Sequence, residues 1–333
     1  MKKIGKKIIA EIGSVHNGSL EKAKELIKLA SKSGADIVKF QLHLADDETL
    51  RNAPSPKYFK KESRYDYFKR LEFNIQEWKI IKKFCESNHV DFLCSPFSNK
   101  AVDILEKLNV KFYKIASGEL TNIPLLEKIK KTNKYVFIST GMSNWKEITR
   151  AIKIFKENFT LMQCSSIYPC GLKDVGVNVL NEMRKKYKKN KFEIGYSDHT
   201  LGYEASFLAA SLGANIIEKH FTKSKKMYGS DAKHSMEPKE FKFLTKTIKN
   251  IWKLQTYKVD KNDIRKYKNM KKIFEKSIVA KQDLVKNTII KYNHLDFKKP
   301  GDGIRADEYK KIIGKKVLKF IKKNKKINLS MIK

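Results

Sequence analysis

The feature that most constrains this chain is a recurrence. Eight short runs rich in β-branched and apolar residues are each followed by a loop and then by a segment with helical spacing. The runs fall at 8–12, 37–40, 91–94, 112–116, 135–139, 160–164, 192–196 and 215–220. Between them lie patterns such as SLEKAKELIKLASKSGA, where Leu20, Ala23, Ile27 and Ala30 share one face and Gly34 supplies the stop, and NKAVDILEKLN after the third run. Eight alternating units in about 250 residues predict a parallel-stranded (β/α)8 barrel, the TIM-barrel architecture, rather than an open doubly wound sheet. The barrel is expected to close near Ile251, so that 1–253 forms one domain.

At 333 residues the chain is longer than one such core needs, and the remainder divides by composition. Residues 254–272 are polar and charged with no strand signal, which reads as a linker. In 273–333, short β-type runs alternate with the turn signals Lys286-Asn287 and Pro300-Gly301-Asp302-Gly303, predicting a compact β-rich module.

Lys and Arg total 72 against 36 Asp and Glu, a formal charge of +36. The lysines are spread over nearly every predicted helix without an aromatic-interleaved basic stripe, so the expectation is a solvated surface and no nucleic-acid partner. Cys85, Cys94, Cys164 and Cys170 form no CxxC pair and no disulfide framework, which fits a reducing, cytoplasmic setting. The first apolar run is interrupted by Glu11 too soon for a signal peptide, and no stretch approaches a membrane span.

In a barrel of this kind the chemistry gathers where strands end and the following loops begin. Strand one ends at Glu11 before Gly13-Ser14-Val15-His16-Asn17-Gly18; strand two carries Lys39 and Gln41; strand three runs into Ser95. Strand four carries Lys114 and leads to Ser117 and Glu119, strand five ends at Ser139, and strand six leads to Ser166 and Tyr168. Strand seven gives Ser197, Asp198 and His199, and strand eight Glu218, Lys219 and His220. His199 and His220, on adjacent strands, suit a divalent ion such as Mn²⁺ or Zn²⁺ and leave coordination positions open for water and substrate oxygens. A lysine in a strand is costly unless an anion neutralises it, so Lys39 and Lys114 point to an anionic ligand. Ser95, Ser117, Ser139, Ser166 and Ser197 could donate hydrogen bonds to its phosphate and carboxylate oxygens.

The segments AEIGSVHNG, VKFQ, CSPFS, YKIASGE, STGMS, CSSIYP, GYSDHT and EKHFT, in this order, resemble the successive motifs of the sialic acid synthase family, which makes N-acetylneuraminate, legionaminate and pseudaminate. The resemblance continues through GSDAKHSMEP into SIVAKQDL, KKPGDGI and IIGKK, which are similar to that family's small antifreeze-like (SAF) domain. It implies a transferase that condenses phosphoenolpyruvate with N-acetylmannosamine or a related amino-sugar aldehyde. A Mn²⁺, Mg²⁺ or Co²⁺ ion on His199 and His220 would polarise the aldehyde, with Mn²⁺ the expected metal. The resemblance assigns Lys39, Ser95, Lys114, Ser117, Ser139, Ser166 and Ser197 to phosphoenolpyruvate. It assigns Glu119, Tyr168, Asp231 and Lys299 to the sugar. Glu11 and Glu218, with Lys39, are its catalytic groups. Lys299 stands where N-acetylneuraminate synthases carry Arg and cannot reproduce its planar fork, so the sugar's substituents stay open, while Ser166 stands where some members carry Asn, a change that water could absorb. The family also implies a homodimer in which the small domain covers the partner's barrel mouth.

Two rival readings are an octulosonate- or heptulosonate-type synthase on the same barrel, and a non-catalytic basic barrel that binds RNA or acidic polysaccharide. The C-terminal module and the HNG loop at Asn17 oppose the first. The complete set of strand-end polar residues opposes the second.

Overall fold

The computed structural model describes residues 3–55, 62–188 and 192–333. Eight parallel strands close in chain order: β1 Lys7–Glu11, β2 Ile37–Leu42, β3 Asp91–Pro96, β4 Phe112–Ile115, β5 Tyr135–Ser139, β6 Phe159–Cys164, β7 Glu193–Asp198 and β8 Ile216–His220. Each pairs with the next, and β8 returns to β1. The expected (β/α)8 barrel is therefore the architecture observed, and a small antiparallel β unit follows it in the chain.

Strand alternation explains how one sequence fills two layers. Ile9, Ile37, Leu93, Phe112, Tyr135, Phe137, Met162 and Ile216 form one buried cluster. The residues between them, such as Ile8, Val38, Phe92, Tyr113, Val136, Leu161 and Ile217, belong to a second cluster shared with the helices. Gly195 sits where a Cβ would lie 2.9 Å from Met162 Cγ and 3.0 Å from the Ile216 side chain, so only glycine lets these two fill the lumen. Moving two residues toward the strand ends on the lumen side, Ile9 gives way to Glu11, Ile37 to Lys39, Phe112 to Lys114 and Ile216 to Glu218. The interior thus changes from apolar to ionic within one layer.

Five of the barrel helices begin with side-chain caps that fix where they start. Ser19, Ser98 and Asn122 cap the helices Leu20–Lys32, Asn99–Lys107 and Ile123–Lys131. Asn74 with Glu77 and Asn144 with Glu147 form reciprocal capping boxes for Ile75–Ser87 and Trp145–Phe155. The barrel's last helix is Pro238–Leu254, beginning with proline where no donor is needed. No helix among the described residues is long and apolar enough to cross a membrane.

The chain divides into two compact units, Met1–Tyr257 and Lys258–Lys333. The second is built on β9 Ser277–Ala280 paired antiparallel with β10 Leu295–Lys298, around a core that includes Ile278, Leu284, Ile290, Ile312, Val317, Ile321 and Ile327. Within the stretch read as linker, Arg265–Tyr267 makes a 3-10 turn and the helix Lys268–Phe274 begins. That helix belongs to the second unit: the Gly301 amide donates to Lys272 O at 2.8 Å, and Lys299 Nζ lies 5.1 Å from the Phe274 ring centre.

Candidate active site

Barrel closure brings together what the sequence holds apart. Glu218 on β8 accepts from Lys39 Nζ on β2 at 2.8 Å, from Lys114 Nζ on β4 at 3.0 and 3.1 Å, and from Ser197 Oγ on β7 at 3.0 Å. All four residues are buried. Burial would raise the Glu218 carboxyl, but Lys114 and Lys39 overcome this and hold it far below the usual carboxylate range. Burial likewise works against the Lys39 ammonium, yet Glu11 and Glu218 keep it above the ordinary lysine value. For Lys114 burial prevails and its ammonium is held below that value. The anion that the strand lysines call for is thus supplied internally, by Glu218.

Glu11 differs from Glu218. Its Oε1 accepts from Gln41 Nε2 at 2.6 Å and lies 3.4 Å from Lys39 Nζ, while Oε2 is buried with no partner. Burial is the larger influence here, with Lys39 opposing it, and the carboxyl is pushed up to about 7. Two buried carboxylates in one cluster therefore differ in proton affinity, the arrangement that separates an electrostatic partner from a proton-transfer group.

Around this cluster the Ser95 and Ser139 hydroxyls are buried without partners. Ser117 Oγ donates to Cys164 Sγ at 3.5 Å, and Ser166 Oγ lies 4.0 Å from the same sulfur. Gly141 makes this approach possible: a Cβ there would stand 2.2 Å from Ser166 Oγ and 2.7 Å from Ser117 Oγ. Burial would raise the Cys164 thiol, but His199, 3.8 Å away, outweighs it and brings it down to about 7.

His199 and His220 face each other with ring centres 5.5 Å apart. His199 Nδ1 donates to Ser165 O at 2.8 Å, so in the neutral ring Nε2, 3.1 Å from Tyr168 Oη, is the nitrogen that offers a lone pair. His220 Nδ1 is buried without a partner, and burial holds that imidazole down to about 4, hence neutral. Two facing imidazoles, one neutral and orphaned and the other oriented by a backbone carbonyl with the Cys164 sulfur beside it, fit a divalent ion. Among the described residues no group of three or more His, Cys, Asp or Glu is arranged for one, so the remaining ligands would be water and substrate.

The other expected site residues lie further out. Tyr168 is 45% exposed and tilts over His199 at 4.3 Å. Asp231 accepts from Ser14 N and Ser14 Oγ, both at 2.8 Å, close enough to Gly13 and His220 that a Cβ on Gly13 would strike its Oδ2. Glu119 sits on the turn after β4, bonded to Asn122 Nδ2 at 2.8 Å rather than to the ionic cluster. Lys299 belongs to the second unit. Tyr168, Asp231, His220 and Gln41 line a cleft of about 670 Å³ with Ser14, Tyr67 and Met227. Gln41 and Cys164 carry no role in the sequence reading. Gln41 was findable, since it stands two residues beyond Lys39 and so faces the same lumen; Cys164 was not, because its partners Ser117 and His199 come from other strands.

A closed (β/α)8 barrel with buried lysines, unpaired hydroxyls and two facing imidazoles at its strand ends, followed by a small β unit, defines a barrel enzyme that handles an anionic substrate. The comparisons with known proteins name the family. The NeuB family model matches residues 26–260 and the SAF domain model residues 275–333, and the chain belongs to the NeuB family. It is 38% identical to the N,N'-diacetyllegionaminic acid synthase of Campylobacter jejuni over 331 residues, covering 96% of this chain and 98% of that protein. With the enzyme of the same name from Legionella pneumophila it shares 34% identity over 93% of this chain and 90% of the other. The crystal structure of an N-acetylneuraminic acid synthetase from Leptospira borgpetersenii, in complex with citrate, superposes with a TM-score of 0.69 at 30% identity, covering 80% of this chain and 91% of that one.

Proposed function

We propose that this enzyme condenses phosphoenolpyruvate with the open-chain aldehyde of N-acetylmannosamine or a related amino sugar to give a nonulosonic acid and inorganic phosphate. The observation that carries the reading is the ionic floor of the barrel mouth. Lys39 and Lys114 are buried on Glu218 beside the unpartnered hydroxyls of Ser95 and Ser139, a donor set suited to an anion with several oxygens.

In this mechanism Lys39 and Lys114 share their charge between Glu218 and the phosphate and carboxylate of phosphoenolpyruvate, and Ser95, Ser117, Ser139, Ser166 and Ser197 donate to its oxygens. His199 and His220 would hold the divalent ion, Mn²⁺ by preference, and the chemistry it supplies when bound is polarisation of the aldehyde carbonyl. The phosphoenolpyruvate C3 carbon forms the new bond to the aldehyde carbon, water adds at C2, and the C2–O bond breaks to release phosphate. Glu11, with one free oxygen and a carboxyl pushed up to about 7, takes one proton from this water and passes it to the oxygen of the former aldehyde, the water's second proton leaves with the phosphate, and Glu218 stays ionised and orients the lysines. Tyr168, Asp231 and Glu119 hold the sugar.

The two legionaminic acid synthases among the relatives, and Lys299 in the second unit, support a diacetamido-trideoxyhexose as the second sugar to test. Exposed Met142, Ile167, Leu172 and Leu201, on the loops after β5, β6 and β7, support a homodimer in which the small domain of one subunit covers the mouth of the other and brings Lys299 to the sugar. Four free, buried cysteines support a reducing cytoplasm.

The test is phosphate release from phosphoenolpyruvate with Mn²⁺, comparing N-acetylmannosamine, 2,4-diacetamido-2,4,6-trideoxymannose and the altrose isomer, with and without EDTA. Release that depends on one aldehyde and is abolished by chelator is expected. No release with any of the three from metal-loaded protein refutes the reading.

A further inference from the structure

From Glu11 a second chain of polar groups runs through Gln41 on the cleft wall to the buried side chains of His43 and Glu48. Gln41 Nε2 donates to Glu11 Oε1 at 2.6 Å, Gln41 Oε1 lies 3.0 Å from His43 Nε2, and His43 Nδ1 lies 2.7 Å from Glu48 Oε1. The side chains of His43 and Glu48 are only 5% and 6% exposed. The imidazole is stacked on both faces, against Phe68 at 4.0 Å and Phe97 at 4.3 Å with interplanar angles of 19° and 18°. Glu48 Oε2 also takes the Leu44 amide at 3.3 Å, so the carboxylate is anchored to the same turn.

With its nitrogen on the Glu11 carboxylate, the Gln41 amide turns its carbonyl to His43, so Nε2 donates to it, and Nδ1 and Glu48 Oε1 share the proton of the second bond. With Glu11 ionised and that proton on Nε2, a flipped amide would set two oxygens against each other at Glu11 and two N–H groups against each other at His43. Gln41 alone could relax by rotating; with His43 clamped between two phenyl rings and Glu48 behind it, it cannot. The bond from Gln41 then occupies Glu11 Oε1 and leaves Oε2 as the free oxygen.

We propose that His43 is a positioning residue for the condensation: held by Glu48 and by the Phe68–Phe97 sandwich, it locks the Gln41 amide so that Glu11 presents one unpartnered oxygen for proton transfer. This rests on the reading of Glu11 given above. His43 touches no substrate, and it acts through Gln41.

The test is a kinetic cycle on the metal-loaded full-length enzyme with the sugar that supports turnover. His43→Phe keeps an aromatic ring in the sandwich and removes the donor. It is expected to lower kcat by about tenfold or more, as for one lost hydrogen bond to a charged network, with KM for phosphoenolpyruvate within about twofold. His43→Gln, which retains a donor, is expected to recover most of that loss. The double variant with Gln41→Leu is expected to be no slower than Gln41→Leu alone. If His43→Phe does not fold, His43→Asn, too short to reach Gln41, takes its place in the cycle. An unaffected kcat, losses that multiply in the double variant, or a His43→Gln enzyme as slow as His43→Phe each overturn the positioning role while leaving the reaction intact. A wild-type enzyme that releases no phosphate overturns both.

Discussion

Glu218→Gln isolates the energetics of the site, because it removes one charge and almost no volume. In the wild type Glu218 balances Lys114 at 3.0 Å and Lys39 at 2.8 Å, and Lys39 has a second carboxylate, Glu11, at 3.4 Å. The substitution therefore leaves Lys114 as the uncompensated buried cation and Lys39 still partly paired. Breaking a buried pair from one side costs about 3–5 kcal/mol, and the surviving Glu11 contact argues for the low end. For a barrel of this size each kcal/mol moves Tm by about 2–4 °C, so the variant should melt roughly 6–12 °C below wild type. Phosphoenolpyruvate should restore more of the loss than it adds to wild type, since in the variant it is the missing counter-ion and in wild type it must share the lysines with Glu218. The assay is thermal denaturation of both proteins with increasing phosphoenolpyruvate and, separately, inorganic phosphate. A variant that melts with wild type, or equal stabilisation of the two proteins by the ligand, would refute this account of the buried charges.

Two further outcomes follow from single positions. Gly141→Ala pushes a methyl into the Ser117 and Ser166 hydroxyls, and phosphoenolpyruvate affinity measured by calorimetry should fall about tenfold or more, as for loss of one or two hydrogen bonds to a charged ligand. His16 is buried against Phe73 and accepts the Gly18 amide at 3.1 Å; burial, with His43 adding to it, lowers its pKa from 6.5 to about 3. The fold thus favours the neutral ring, so the stability this group contributes is complete above pH 6.5 and lost as pH falls from 6.5 toward 3, roughly 5 kcal/mol across the whole window. Urea unfolding at pH 7 and pH 4.5 should show a smaller acid loss for His16→Gln than for wild type.

The barrel was legible because each strand announces itself twice, by β-branched composition and by the helix that follows. Its strand ends were less so. β2 and β3 run two residues past the expected 37–40 and 91–94, pairing Gln41 with Ser95 and Leu42 with Pro96. A reading by side-chain hydropathy stops at Gln41 and Ser95, but the ladder is made by backbone groups and continues wherever the lumen can accept a polar side chain. The short helix Lys268–Phe274 was missed for the opposite reason: seven lysine-rich residues have almost no helical tendency of their own, and the turn exists within the second unit, with the Lys271–Glu275 ion pair beside it.

Among the site residues the sequence names Lys39, Lys114 and Glu218 but not their mutual relation. They are 104 and 179 positions apart along the pairs that Glu218 makes, and only closure of β8 beside β1 brings them into one layer. Seen in the sequence, two strand lysines call for an anion from outside. In the fold they already have one, and the difference changes what binding must accomplish. A preformed empty cationic hole would take up any phosphate, whereas lysines tied to Glu218 yield to a ligand only if it offers enough oxygens, correctly spaced, to share both ammonium groups and to satisfy the idle hydroxyls of Ser95 and Ser139. On the function proposed above, the internal carboxylate would act as a competitor that inorganic phosphate has to displace with four oxygens, and that phosphoenolpyruvate, with a carboxylate as well as a phosphate, would meet on better terms.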